Sequence, residues 1–378
     1  MKTGCCHLCS GRLYVDPIVE LQRMPKAAQY YPEVEEFATD HGITLTVYQC
    51  QDCGLVQLNS TPVEYYKEVI TAATFSEKAR LSRLEQMQEF VADHDLTGKK
   101  VLEVGCGGGG MLDVMAEAGM EPTGIEAGIT SVETGLELGR NIICGYIGEV
   151  EKVDGAPFAG FVSLNYLEHL PNPGKIIKKI HKNTVDGAVG FVTVPNLEYL
   201  LKSKCFYEFV PDHLSYFTQK TITHAFQSNG FDVLECRTIN NDNDILCIVR
   251  KKSRLDIAGQ YVEVEELIAN LKEIGVKYKS QGKRLAVWGA GHRTLALLAL
   301  AKLDEIEFVV DSAKFKQGRY TPVLHKKIVS PEELKKSGID LIMVMLPGLY
   351  PGEVLKIVEA MDIDIEVATL QGNSVKFL

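Results

Sequence analysis

Apolar positions along this chain fall into short unbroken runs separated by stretches of helical spacing. Val101–Gly105, Pro122–Glu126, Asn141–Gly145, Gly160–Asn165 and Ala188–Val194 each read as a strand. A strand covered on both faces has no polar side to alternate with, so it appears as a continuous apolar run. Helical segments lie between these runs, which is the pattern of a parallel sheet wrapped on both faces. Phe231–Ile239 and Asp244–Lys251, joined by the turn Asn240–Asn243, read as a closing antiparallel hairpin. Upstream, Leu81, Leu84, Gln88 and Val91 repeat at helical spacing and predict a helix over 76–95, with Ser76 as its N-cap. Beyond Arg254 a helix over 262–279 precedes a strand that ends in the glycine turn Gly289-Ala-Gly291. A helix over 293–303 and strands Ile306–Asp311, Leu341–Met345 and Ile365–Leu370 follow. The expected fold is therefore α/β in three parts: a small N-terminal domain (1–62), a doubly wound sheet ending in a hairpin (63–253), and a second, smaller Rossmann-like domain (254–378).

Composition narrows the class. The chain has 378 residues, 46% of them hydrophobic and 24% charged, and no apolar run reaches the length a membrane span needs. The N-terminus turns polar and cysteine-bearing at once, unlike a signal peptide, so the cytoplasm is the expected location. A net charge of −10 without any basic block argues against a nucleic-acid surface. It leaves room for a phosphate-bearing small molecule held by a few local cations. A small-molecule substrate, no membrane partner, and a monomer or homodimer are the expectations.

Cysteine spacing adds a metal. Cys6-His-Leu-Cys9 and Cys50-Gln-Asp-Cys53 are two Cys-x-x-Cys knuckles, each presenting two thiolates from one tight turn. Two such turns complete a tetrahedral Zn²⁺ site in a segment too small to bury much core. Four thiolates leave no open coordination position, so the zinc would be structural. Cys5 and His7 are the alternative ligands, and a redox role would need only one pair. Cys144, Cys205, Cys236 and Cys247 read as small core residues.

Chemistry enters at Val101-Leu-Glu-Val-Gly-Cys-Gly-Gly-Gly-Gly110, followed sixteen residues later by Glu126. The loop admits a ligand up to the backbone at Gly105, Gly107 and Gly108, and a carboxylate beyond it accepts ribose hydroxyls. The bare glycine pattern also fits a dinucleotide. Glu103, placed to meet a positive amino group, the polar strand end at Asn165 and the closing hairpin favour S-adenosylmethionine. The Gly289 turn lacks a third glycine, while Asp311 stands where a ribose-binding acid would. Nicotinamide binding, a ligand-free scaffold and a clamp on a substrate's nucleotide all remain open for that domain.

Together the two cysteine pairs, the Glu-Val-Gly-Cys-Gly loop, Asn165-Tyr-Leu-Glu-His169, Asp212-His-Leu-Ser-Tyr-Phe217 and Val310-Asp-Ser-Ala-Lys-Phe-Lys-Gln-Gly-Arg-Tyr320 with Pro322 and His325 carry a resemblance. The chain resembles the three-domain sugar C-methyltransferases of deoxysugar pathways, over nearly its whole length. That resemblance implies a zinc-binding domain, a class I S-adenosylmethionine domain and a Rossmann-like domain acting on a nucleotide-activated keto sugar. It implies His213 as the general base. Two departures bear on the acceptor: Val210-Pro-Asp-His213 stands where the family typically has Tyr-His-Glu-His, and a tyrosine-rich stretch expected near residues 66–76 is replaced by Glu68-Val-Ile-Thr-Ala-Ala-Thr-Phe-Ser76.

Carbon methylation beside a ketone needs a base for the α-proton and a group to stabilise the enolate, and an imidazole suits the first task. The expected catalytic set is His213, His169, Glu168, Asp212 and Tyr216, with Asp212 or another carboxylate fixing the His213 tautomer. The expected cofactor contacts are Ser76, Glu103, Gly105, Gly107, Gly108, Glu126 and Asn165. Lys316, Arg319 and His325 are the candidate diphosphate ligands. Competing readings are O- or N-methylation of a sugar or polysaccharide precursor, a nicotinamide enzyme built on the Gly289 turn, and a zinc-ribbon binding protein with an inactive transferase domain.

Overall fold

The structure is a computed structural model in which residues 4–68 and 76–378 are described. They form two compact units, Met1–Arg254 and Leu255–Leu378.

The first unit opens with β1 (Val19–Met24), β2 (Ile43–Gln49) and β3 (Val56–Leu58), then α1 (Glu77–Asp93), β4 (Lys100–Val104), α2 (Gly110–Glu117) and β5 (Glu121–Glu126). It continues through α3 (Ile129–Glu137), β6 (Ile142–Cys144), β7 (Phe158–Leu164), α4 (Pro173–Lys182), β8 (Thr184–Pro195), α5 (Leu197–Lys202) and β9 (Ser215–Tyr216). It closes with α6 (Gln219–Gln227) and the hairpin β10 (Phe231–Ile239) and β11 (Asp244–Lys251). Seven strands make one sheet in the order β10-β11-β8-β7-β4-β5-β6. Strands β8, β7, β4, β5 and β6 run parallel, while β11 and β10 are antiparallel to their neighbours.

Chain order reverses between β4 and β7. Open α/β sheets bind their ligands in the crevice beyond the strand ends at such a point. The glycine loop after β4 and the turn Asn165–His169 after β7 therefore flank one crevice. Apolar cores fill both faces, one around Phe158, Phe161, Phe226 and Phe231, the other around Met87, Phe90, Met115 and Phe191.

Helix α1 is capped as its sequence predicts, Ser76 Oγ accepting the Ala79 N–H at 3.2 Å. Its buried face is rotated from the expected one. Leu84, Met87, Phe90 and Val91 are buried, whereas Leu81 and Gln88 face solvent. Phe90 decides the matter, packing edge-on against Phe191 of β8 with ring centroids 5.5 Å apart.

Strands β1, β2 and β3 form a separate antiparallel sheet, and its fourth strand is β9. Register places Gln57 opposite Ser215 and Val56 opposite Tyr216. The cysteine-bearing segment is thus laced to the chain just after His213.

The second unit holds α7 (Ile257–Ser280), β12 (Leu285–Trp288), α8 (His292–Ala301), β13 (Ile306–Val310), β14 (Lys327–Val329) and α9 (Leu334–Ser337). It ends with β15 (Leu341–Val344), α10 (Tyr350–Glu359), β16 (Glu366–Gln371) and β17 (Ser374–Phe377). The strand order is β14-β13-β12-β15-β16-β17, parallel except for β17. Among the described residues no helix is long and apolar enough to cross a membrane.

Candidate active site and cysteine cluster

Gly105 and Gly107 take φ values of +72° and +54°, in the left-handed region where a side chain is strained. A Cβ on Gly105 would sit 2.6 Å from the Tyr166 ring. Gly108 is open, its nearest neighbour 3.8 Å from a Cβ position. Arg140 pins the loop from outside, donating to the Gly108 carbonyl at 2.5 Å while pairing with Asp113 at 2.6 Å.

Glu126, 1% exposed at the end of β5, accepts the Gly107 N–H at 3.0 Å and the Gly128 N–H at 2.7 Å. That fixes its carboxylate beside the glycine loop, where a ribose would lie. Glu103 is buried on β4 and, among the described residues, its Oε2 has no hydrogen-bond partner. Burial, then the charge of Glu126, raises its pKa well above the usual carboxylate range, with Arg140 opposing. An orphaned, buried carboxylate oxygen is costly alone. It fits a ligand that brings a positive charge, as an S-adenosylmethionine amino group does.

Ser76 serves as the exposed cap of α1, and residues 69–75, which make up most of the segment replacing the family's tyrosine-rich stretch, lie outside the described residues. Asn165 holds a φ of +44° at the end of β7. Its amide is fixed on both sides, Oδ1 accepting from Thr193 Oγ1 at 2.6 Å and Nδ2 donating to Asp244 at 3.3 Å.

Three polar side chains converge beyond β7. Glu168 is 1% exposed, its Oε2 without a partner among the described residues and its Oε1 3.9 Å from His169 Nε2. His169 and His213 stack edge-to-face with centroids 4.7 Å apart. Two hydrogen bonds brace the turn 167–169 against the 210–214 loop. The Leu214 N–H donates to the Glu168 carbonyl at 2.8 Å, and His169 Nδ1 meets the Asp212 carbonyl at 2.9 Å. Because a carbonyl only accepts, His169 carries its proton on Nδ1 and presents a lone pair at Nε2. Burial pushes the Glu168 carboxyl up to about 8. Burial, then the neighbouring His169, pushes His213 down to about 3. Burial likewise lowers His169. Near neutrality the cluster therefore holds two neutral imidazoles and a protonated acid.

Two sequence expectations need correction. The Asp212 carboxylate does not orient His213, because both its oxygens are engaged elsewhere. Oδ1 accepts from Tyr65 Oη and Oδ2 from the Ala28 N–H, each at 2.7 Å. Asp212 acts on His169 instead, through its backbone carbonyl. Tyr216 is a brace and not a catalytic group. It is buried, its hydroxyl accepts the Val210 N–H at 2.9 Å, and its ring packs on Phe209. Tyr65 was missed: it lies in a connector with no motif, and its partner is 147 residues away.

The cysteine quartet comes together as its spacing predicts. The Sγ atoms of Cys6, Cys9, Cys50 and Cys53 lie within 4.8 Å of one another, with Cys6–Cys53 and Cys9–Cys50 both at 3.5 Å. Tetrahedral zinc–sulfur bonds would set sulfurs about 3.8 Å apart. Backbone N–H groups of Leu8, Gly11 and Asp52 point at these sulfurs at 3.3–3.4 Å, favouring thiolates. Neither Cys5 nor His7 belongs to the group.

In the second unit Asp311 accepts the Ala290 and Ala313 N–H groups at 2.8 Å each and the Lys316 ammonium at 2.9 Å. Burial would raise its pKa, but those three donors outweigh burial and hold it below the ordinary range. Lys316 is thus spent on Asp311, while Arg319 and His325 are exposed. The Arg319 backbone N–H donates to the Lys316 carbonyl at 3.1 Å, but among the described residues no side-chain hydrogen bond or ion pair joins the three expected diphosphate ligands to one another.

A methyltransferase-domain family model matches residues 75–236, and a C-methyltransferase C-terminal domain model matches residues 257–362. The chain is an S-adenosylmethionine-dependent methyltransferase. It is similar to C-methyltransferase NovU of Streptomyces niveus, with 24% identity over 369 residues that cover 87% of this chain and 86% of that protein. A ubiquinone biosynthesis O-methyltransferase of Idiomarina loihiensis is 36% identical over 115 residues, covering 28% of this chain and 47% of that enzyme. Among solved structures, an S-adenosylmethionine-dependent methyltransferase from Clostridium acetobutylicum superposes with a TM-score of 0.40 at 11% identity, over 50% of this chain and 96% of that one.

Proposed function

We propose that this methyltransferase adds a methyl group to carbon, next to the keto group of a nucleotide-activated sugar, with His213 as the general base. The observation that carries the reading is the gathering of Glu168, His169 and His213 at the sheet's reversal point, across from the Glu103–Gly110 loop. The likeness to a C-methyltransferase along most of the chain supports carbon as the acceptor atom.

S-adenosylmethionine, when bound, supplies an electrophilic methyl carbon and a sulfur leaving group. Glu103 and Glu126 would hold it, the first at the amino group and the second at the ribose. His213 is neutral and takes the acceptor's α-proton, so that the carbon becomes nucleophilic as an enolate. Glu168, a protonated acid near neutrality, donates a hydrogen bond to the developing enolate oxygen. His169, its tautomer fixed by Asp212, orients the acceptor between them. This division lets positioning and proton transfer do the protein's share of the work. The four thiolates of Cys6, Cys9, Cys50 and Cys53 hold a structural Zn²⁺ in this reading.

Replacing His213 by Asn should abolish turnover and leave S-adenosylhomocysteine affinity unchanged by calorimetry. Deuterium exchange at the acceptor's α-carbon in wild type, lost in the variant, would mark the carbon route. Turnover at the wild-type rate in the variant sinks the base assignment, and methyl transfer without exchange points to an oxygen or nitrogen acceptor.

A further inference from the structure

Glu168, His169 and His213 have a geometry that proton transfer alone does not require. Each offers one ligand atom, and the three atoms lie within 4.8 Å of one another. Three nitrogen and oxygen ligands around one tetrahedral ion stand roughly 3.3–3.5 Å apart. The Glu168 Oε1–His169 Nε2 separation of 3.9 Å therefore closes with a shift of a few tenths of an ångström.

Orientation points the same way. Metal-binding histidines donate the non-ligating N–H to a carbonyl or carboxylate, which aims the other nitrogen. His169 does so, with Nδ1 on the Asp212 carbonyl and Nε2 toward Glu168. Among the described residues Glu168 keeps a buried oxygen without a donor, and its one ion-pair contact is His169. The two loops that supply the ligands are tied by the Leu214 N–H to the Glu168 carbonyl, so the arrangement is held before any ion arrives.

We propose that Glu168, His169 and His213 form a second cation site, separate from the cysteine quartet, which takes one divalent first-row transition ion and blocks methyl transfer when filled. Two imidazoles and one carboxylate, Glu168 releasing its proton to solvent as the ion binds, suit Zn²⁺, Co²⁺, Ni²⁺ or Fe²⁺ and discriminate against the all-oxygen preference of Mg²⁺ and Ca²⁺. Three protein ligands leave a position open, so the ion is exchangeable where the four-cysteine site is closed. The blocking follows from ligation itself, since an imidazole lone pair bonded to the ion cannot accept the substrate proton. That consequence rests on His213 being the base; the binding does not.

The test uses the full-length enzyme with its cysteine-bound zinc retained. Zn²⁺ and Co²⁺ are titrated by calorimetry and metal content is counted by mass spectrometry. One additional ion per chain is expected, with Co²⁺ giving ligand-field absorption free of thiolate charge transfer. Glu168→Gln and His169→Asn should each weaken that ion about tenfold or more, while S-adenosylhomocysteine affinity reports that both variants are folded. Turnover should fall in step with occupancy and return when a mild chelator removes the ion. Failure to find a second ion, or equal affinity in both variants, overturns the site. A second ion that leaves turnover unchanged or raises it keeps the site but overturns the blocking, and with it His213 as the base.

Discussion

Removing the Tyr65 hydroxyl tests whether the N-terminal segment sets the catalytic loop. Tyr65 Oη donates to Asp212 Oδ1 at 2.7 Å, Asp212 Oδ2 takes the Ala28 N–H at 2.7 Å, and the Asp212 carbonyl takes His169 Nδ1 at 2.9 Å. A hydrogen bond to a charged acceptor is worth about 1.5–3 kcal/mol, and the partly exposed Tyr65 belongs at the lower end, about 1.5 kcal/mol. Tyr65→Phe should therefore lower unfolding free energy by about that amount, and a double-mutant cycle with Asp212→Asn should return a coupling of about 1 kcal/mol. Because the loosened loop carries His213 and its Asp212 carbonyl aims His169, kcat should fall about tenfold, equivalent to about 1.4 kcal/mol of lost transition-state stabilisation. S-adenosylhomocysteine affinity should hold. Burial, then the Asp212 hydrogen bond, pushes the Tyr65 hydroxyl up to about 12, so it stays protonated throughout the working range. The loss should be equal at mildly acid and mildly alkaline pH. A coupling below about 0.3 kcal/mol, within the error of additivity, together with unchanged kcat, would show that the clasp does not hold the loop.

Two further outcomes are expected. Gly105→Ala puts a methyl group 2.6 Å from the Tyr166 ring on a residue with φ of +72°, so strain of about 1–3 kcal/mol should reduce S-adenosylhomocysteine affinity at least about tenfold; calorimetry showing unchanged affinity would refute the crowding. Lys316→Met should destabilise the second unit by about 1 kcal/mol at neutral pH. Asp311 is held below its ordinary pKa, so this stabilisation exists above the carboxylate range and disappears as pH falls through it. Denaturant melts should converge in acid, and a gap that persists there would refute the pairing.

What could be read in advance was what the sequence expresses locally. Val101–Val104 or Leu341–Val344 must be strands because each is a run buried on both faces, and Cys-x-x-Cys spacing fixes its own turn. Elements without that local signature escaped. Strand β17 is an edge with Lys376 and Phe377 exposed, so it shows no apolar run, and α10 begins Tyr350-Pro-Gly, which reads as a turn. Helical spacing found α1 but picked Leu81 and Gln88 in place of Met87 and Phe90. Periodicity gives the existence of a face, and only the partner, here Phe191, gives its angle. The Asp212 clasp was out of reach for the same reason at longer range, since its partners lie 184 and 147 residues away.

The two glycine turns show how far such local similarity goes. In both, an acid at the end of the next strand accepts one N–H from the turn and another two residues beyond itself: Glu126 from Gly107 and Gly128, Asp311 from Ala290 and Ala313. The backbone device is shared, but the charge around it is not. Asp311 is neutralised by Lys316 at 2.9 Å, and a ribose would have to displace that ammonium before reaching the carboxylate. Beside Glu126 stands Glu103, a second buried acid whose Oε2 has no donor among the described residues. Two buried acids crowd one turn, and burial with Glu126 disfavours the charged form of Glu103 until a cationic ligand supplies a partner, while the Lys316 ammonium beside the other turn removes that demand. This asymmetry, invisible in the glycine spacing, weakens the nicotinamide reading of the Gly289 turn.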